Sequence, residues 1–161
     1  MADHSEILIL GIGNLLLGDE GIGVQVVQQL EKNKLFNDTD TLDGGTGGFH
    51  LLGKLEEYPF VIIIDATMDN DPPGTVKIIE PRFAHDYPPS LSAHDVGLKD
   101  LIGSLYLLGK VPKVYLVVVS IDGIQPMTMN LSDEVKSSIP DVIKAIEKIL
   151  CSLPVRSGIK Y

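Results

Sequence analysis

The chain has 161 residues, 44% hydrophobic and 22% charged, the balance of one globular domain large enough to bury a core without disulfide or metal staples. A formal charge of −9 and a pI near 4.7 argue against a partner that needs a positive footprint, whether a nucleic-acid backbone or an anionic membrane surface. The one cysteine, Cys151, excludes an intrachain disulfide framework; with no basic leader and no apolar stretch of membrane-spanning length, the expected location is cytoplasmic.

The chain opens on an apolar run, residues 7–10, of buried-strand length, which passes through Gly11-Ile12-Gly13 into a turn and then a helical pattern. A dinucleotide fingerprint would need a third glycine where Leu16 stands, and the adjacent Asp19 and Glu20 would repel a pyrophosphate. Carboxylates suit a cation instead. Ile22, Val26, Val27 and Leu30 recur at helical spacing, with Gly23 in the first turn expected to permit a close approach of backbone to backbone or to a ligand. Residues 37–42 read as a second, weaker strand, ended by Asp43 and the loop Gly44-Gly45-Thr46-Gly47-Gly48, from which Thr46 is placed to cap a short helix carrying Phe49, Leu52 and Leu55.

Residues 60–64 form a continuous, mostly β-branched run that ends on Asp65, and a turn through residues 69–74 leads to another strand at 75–79. So short a turn holds no crossover helix. These two strands are expected to run antiparallel, with 75–79 at an edge. Residues 81–93, with Pro88 and Pro89, read as a long loop that can carry the chain back across a sheet. Ser92 then caps a helix bearing Leu98, Leu101, Ile102, Leu105 and Leu108, with His94 and Asp95 in its first turn and Gly109 as its stop.

Residues 113–120 hold the best central-strand run in the chain. Ser132 begins a final helical segment, interrupted near Pro140, in which Cys151 is expected as a buried small hydrophobe on the apolar side. Alternating strands and helices predict one three-layer α/β/α domain over residues 1–161, with a mostly parallel five-stranded sheet, one antiparallel edge strand and a peripheral tail over 152–161.

In an open α/β sheet, the loops beyond the carboxyl ends of the parallel strands share one crevice. Glu20 follows the first strand, Asp43 the second and Asp65 the third, and the long loop can return His94 to the same side. Glu20, Asp65 and His94 together offer two carboxylates and an imidazole, which satisfy a divalent cation and leave positions for water or substrate. A helix start disfavours imidazolium and keeps a lone pair on His94 available. Nickel, zinc, iron and cobalt all fit this donor set. Asp19 and Asp95 flank the ligands and can orient them or stabilise helix starts; Asp43 can contact substrate, serve acid–base work or simply form its turn. His4, His50 and His85 have no comparable position. Met127 and Met129 read as packing or loop residues, and Ser120-Ile121-Asp122 lacks the glycines of a nucleophile elbow.

Residues 11–23, Asp43-Gly44-Gly45-Thr46, Ile64-Asp65-Ala66 and Ser92-Ala93-His94-Asp95 occur in the order of the landmarks of the hydrogenase maturation endopeptidases. Over about residues 6–150 the chain resembles that family, which removes a short C-terminal extension from the nickel-loaded precursor of the nickel–iron hydrogenase large subunit. The resemblance implies that Glu20, Asp65 and His94 are the metal-binding trio and that the nickel arrives on the substrate, although another divalent transition metal could occupy the free site. It implies the large-subunit precursor as partner and a chain that works as a monomer, with Asp43 and Asp19 the candidates for proton movement. A nickel-delivery factor that binds the precursor without cutting it is the alternative. A phosphoacceptor receiver domain fits less well, since it wants a lysine where Ser120, Ile121 and Asp122 stand.

Overall fold

The computed structural model describes residues 5–82, 86–87, 98–109 and 111–154. The opening apolar run forms β1 (Ile7–Gly11), buried along its whole length, and such a strand must be covered on both faces. α1 (Ile22–Asn33) covers one of them with Ile22, Val26, Val27 and Leu30. The chain continues through β2 (Asp40–Asp43), α2 (Leu52–Leu55), β3 (Phe60–Thr67), β4 (Val76–Ile79), α3 (Leu98–Leu108) and β5 (Lys113–Ser120). It closes with α4 (Asp133–Ser137) and α5 (Ile139–Ser152).

Among the described residues the five strands form one sheet in the order β2-β1-β3-β5-β4, parallel except for β4, which pairs antiparallel with β5. Strand alternation divides the core in two. Ile62, Ile64, Val117 and Val119 pack with α1, α4 and α5, whereas Val61, Ile63, Leu116 and Val118 pack with Leu51, Leu55, Ile102 and Leu105 of the α2 and α3 side. A one-residue slip of β3 would exchange these sets and place Asp65 in the α1 core, so the register is strongly fixed. The architecture is the three-layer α/β/α arrangement predicted from the pattern of elements.

Several details differ from the sequence reading, each for a local reason. β3 does not stop before Asp65 but runs to Thr67, because β5 continues the ladder with Asp65 opposite Val118 and Thr67 opposite Ser120. β4 is an edge strand antiparallel in direction to β3, yet β5 stands between them. The connection passes the end of β5, where Gly74 N–H donates to Ser120 O at 2.8 Å and Ser120 N–H to Thr75 O at 2.9 Å. β2 starts at Asp40, since Thr39 closes a turn by donating its N–H and hydroxyl to Phe36 O at 3.0 and 2.7 Å.

α2 is entered from a 3-10 turn (Phe49–Leu51), with Leu51 rather than Thr46 at its N-cap position. Pro140 sits in the first turn of α5, where its missing N–H has no intrahelical partner to lose. α5 buries Val142, Ala145, Ile146 and Ile149 and runs through Ser152, the first residue of the expected tail. Cys151 is exposed rather than buried. It lies two positions past Ile149, about 200° around the helix from that face.

Candidate active site at the carboxyl end of the sheet

The chain runs from β1 outward to β2 and then returns to the other side of β1 as β3. At this reversal the connections leave to opposite faces of the sheet, the arrangement in which open α/β sheets place their ligand sites beyond the strand ends. β1 ends at Gly11, opposite Ile64. Asp65 is therefore the first β3 residue beyond the reach of β1, fully buried, and its parity with Val61 and Ile63 sets it on the α2 and α3 side. Its Oδ1 accepts the N–H of Ala66 at 2.8 Å.

Glu20 stands across the same point, 1% exposed, in a 3-10 turn (Gly18–Gly21) that leads directly into α1. The glycines explain how that turn comes so close to the strand ends. A Cβ on Gly23 would strike Ile64 O, one on Gly11 would strike Gly23 O, and one on Gly13 would strike Glu20 O. The close approach expected at Gly23 is thus one of backbone to backbone. Two buried carboxylates at the polar end of a sheet are costly to keep ionised unless a cation or hydrogen bonds compensate them, and a hard or borderline divalent cation fits that donor pair.

Asp19, 2% exposed, is tied instead to the segment before α4. Its Oδ1 accepts Ser132 N–H at 2.7 Å, and its own N–H donates to Gln125 Oε1 at 2.9 Å. Gly18 N–H donates to Thr128 O at 2.8 Å, and Thr128 N–H to Leu16 O at 3.1 Å. Gln25 Nε2 adds a bond to Met129 O at 2.8 Å. Residues 121–132 thus clasp the loop that carries Glu20.

Asp43 closes the edge strand β2 opposite Gly11 and is exposed. Its Oδ1 accepts Gly45 N–H at 2.9 Å, and Gln28 Nε2 approaches its Oδ2 at 3.5 Å. Gly44 N–H donates to Gly11 O at 2.8 Å and Gly13 N–H to Gly45 O at 2.7 Å, so the glycine loop is stitched to the first loop as well. The β2 edge is anchored further back by Tyr58, whose hydroxyl donates to Asp40 Oδ2 at 2.8 Å. Burial, and then that bond to a carboxylate, push the Tyr58 hydroxyl up to about 12.

Of the site residues expected from sequence, Glu20, Asp65, Asp19 and Asp43 all lie at the carboxyl end of the sheet. His94 and Asp95, with the proposed Ser92 cap, lie outside the described residues, and among the described residues no group of three His, Cys, Asp or Glu side chains is gathered to hold a metal. Gln125 was not singled out by sequence, and Ser132 was read only as the start of the last helical segment, the N-cap position it holds in α4. Each meets Asp19 from more than a hundred positions away, at separations of 106 and 113 residues, and neither sits in a motif that would have marked it.

A family model described as "Hydrogenase maturation protease" (HycI) matches residues 24–149. The chain is 36% identical over 151 residues to the hydrogenase 2 maturation protease of Escherichia coli K12, covering 91% of this chain and 90% of that protein. It is 32% identical to the hydrogenase expression/formation protein HupD of Thiocapsa roseopersicina, covering 96% of this chain and 72% of that protein. Among solved structures, the hydrogenase maturating endopeptidase HybD from Escherichia coli superposes with a TM-score of 0.80 at 34% identity, over 90% of this chain and 91% of that one. The [NiFe] hydrogenase maturation protease HybD from Thermococcus kodakarensis gives 0.73 at 28% identity, over 89% and 97%. With the family model spanning most of the chain and the Escherichia coli relative matched over nine tenths of both chains at 36% identity, the protein belongs to the hydrogenase maturation proteases.

Proposed function

We propose that this endopeptidase removes the C-terminal extension from the precursor of a nickel–iron hydrogenase large subunit only after nickel is in place, and that it reads the metal with Glu20, Asp65 and His94. Hydrogenase maturation by proteolysis is the activity of its family. The observation that carries the rest is the placement of Glu20 and Asp65, both buried, on the two sides of the reversal between β1 and β3. With no cysteine near the site, the chain is a poor nickel store and a good match for a nickel that the substrate already holds in its own ligands. His94 completes the trio, since residues 88–97 immediately precede α3, whose side of the sheet Asp65 faces.

The substrate's nickel supplies position and Lewis acidity next to the scissile segment. Asp43, exposed at the end of β2, is the residue that takes the proton from the attacking water. Asp19, with one carboxylate oxygen committed to Ser132 N–H, holds the Glu20 turn in place. No described helix is long and apolar enough to cross a membrane; a single cysteine, exposed on α5, fits a reducing compartment.

Intact mass of a large-subunit precursor, incubated nickel-loaded and nickel-free with catalytic amounts of this protein, tests the reading. A discrete C-terminal loss from the loaded form alone is expected. Equal cleavage of the nickel-free form would sink the metal-reading step, and binding without any loss of mass would make the chain a delivery factor.

A further inference from the structure

Three large apolar side chains stand in water on the rim of the site: Leu16 is 55% exposed, Met127 88% and Met129 55%. They are one patch. Leu17 and Thr128 form a parallel β-bridge, and the bonds from Thr128 N–H to Leu16 O and from Gly18 N–H to Thr128 O lock the two loops side by side. Met127 and Met129 therefore flank the residue that pairs with the segment just before Asp19 and Glu20.

Nothing in the core explains these side chains. Met127 also holds φ +59°, a left-handed conformation that is strained for an L-residue and that glycine adopts freely. A strained backbone that presents a thioether to solvent makes sense as a contact surface, and methionine is the adaptable apolar residue that such surfaces use. A second exposed pair, Leu107 at 90% and Leu108 at 57%, lies at the end of α3 that leads into the start of β5, at the opposite end of the sheet.

We propose that Leu16, Met127 and Met129 are the apolar anchor on which the large-subunit precursor docks. This rests on the function proposed above, and the occupant follows from geometry. Glu20 and Asp65 are 1% and 0% exposed, so a protein substrate can reach them only over the loop rim. The patch is the part of that rim continuous in chain with Glu20 and clamped to it through Asp19. Burial of such anchors is where protein interfaces concentrate their binding energy.

The test is titration of the nickel-loaded precursor with wild-type protein, Met127→Gly, Met129→Ser, the double variant and Leu107→Ser, alongside cleavage kinetics and thermal melting. In Met127→Gly and Met129→Ser, Kd and KM are each expected to rise about tenfold, with kcat within about twofold of wild type. Met127→Gly should melt no lower than wild type, because glycine relieves the positive φ, and Leu107→Ser should bind as wild type does. Unchanged Kd in the double variant overturns the anchor, as does an equal loss in Leu107→Ser. If wild type binds the precursor but never cuts it, the proposed function fails while the Kd values still decide the anchor; absence of wild-type binding overturns the anchor itself.

Discussion

Asp19 Oδ1 accepts the backbone N–H of Ser132 at 2.7 Å across 113 residues of sequence. Through this bond the start of α4 holds the 3-10 turn in which the next residue, Glu20, is presented to the crevice. A carboxylate accepting from a backbone N–H is among the stronger hydrogen bonds a protein makes. Here it couples the last helical layer to the site.

Asp19→Ala should therefore lower unfolding stability by about 2 kcal/mol, the typical loss for a hydrogen bond to a charged group. Denaturant titration measures it. Asn at this position keeps an amide oxygen where Oδ1 lies, so Asp19→Asn should recover most of the stability and most of the turnover. If the asparagine variant is folded yet inactive, Asp19 moves a proton and the positioning role assigned to it is wrong.

Gly23 separates close packing from mere flexibility. Its substitution by alanine would drive a Cβ into Ile64 O and Ile12 O, and the backbone carbonyls of β3 and of the residue just past β1, itself bonded to β3 through its N–H, cannot step aside. A loss of about 3 kcal/mol, near the upper end for overpacking, and a melting point lower by about 6–12 °C are expected. Gly53, inside α2, has nothing within 4 Å of the added Cβ. Gly53→Ala should gain about 0.5–1 kcal/mol. Similar costs at the two positions would contradict the packing argument.

These two glycines show why the fold was so legible in sequence. Unbroken β-branched runs, helical spacing and the glycines after β1 are local signals, and they located the layers, the edge strand and the close approach at Gly23. The boundaries were less legible because neighbours set them: Asp65 reads as the end of a strand until β5 is seen to extend the ladder to Thr67. Likewise β4 follows β3 in sequence, but β5 enters between them later in the chain. Cys151 was misjudged from its apolar neighbours, when the angle from Ile149 decides its face. Glu20, Asp43 and Asp65 could be placed at one end of the sheet because strand ends converge by topology. Gln125 and Ser132 contribute through backbone and amide contacts that leave no pattern in sequence.

The tethers of the two edge strands should fail at opposite ends of the pH scale. Lys77 Nζ lies 3.0 Å from Asp69 Oδ2 and pairs with Asp71 as well. Burial alone would raise the Asp69 carboxyl, but the bonds from Lys77 and from the Asp71 backbone N–H outweigh it and hold the group below its usual 3.8. A depressed folded-state value means that the contribution is present above pH 3.8 and is lost as pH falls through the lower folded value. Lys77→Met should lower the melting point at pH 7, with the difference from wild type shrinking below pH 3.8. Tyr58, raised from 10.0 to about 12, has the opposite sign. Its contribution is complete below pH 10 and lost as pH rises through about 12, a loss that Tyr58→Phe should not show. Melting curves across both ranges check these signs.

The division of labour between Glu20 and Asp43 is open to a kinetic dissection. Glu20→Gln keeps the side-chain volume of a buried residue but removes a carboxylate from the metal-reading set, so processing of the loaded precursor should fall about 100-fold or more, with preference for loaded over nickel-free precursor reduced in binding. Asp43→Asn can still accept the Gly45 N–H and keep its turn, and the residue lies on the surface, so the fold and the affinity should survive. What it loses is the base proposed above, and kcat should drop by about 10²–10⁴ with KM little changed. The pair is diagnostic because the two effects fall on different constants. A variant of Asp43 that binds weakly but turns over normally would make Asp43 a substrate contact, and the proton would then have to go elsewhere in the crevice.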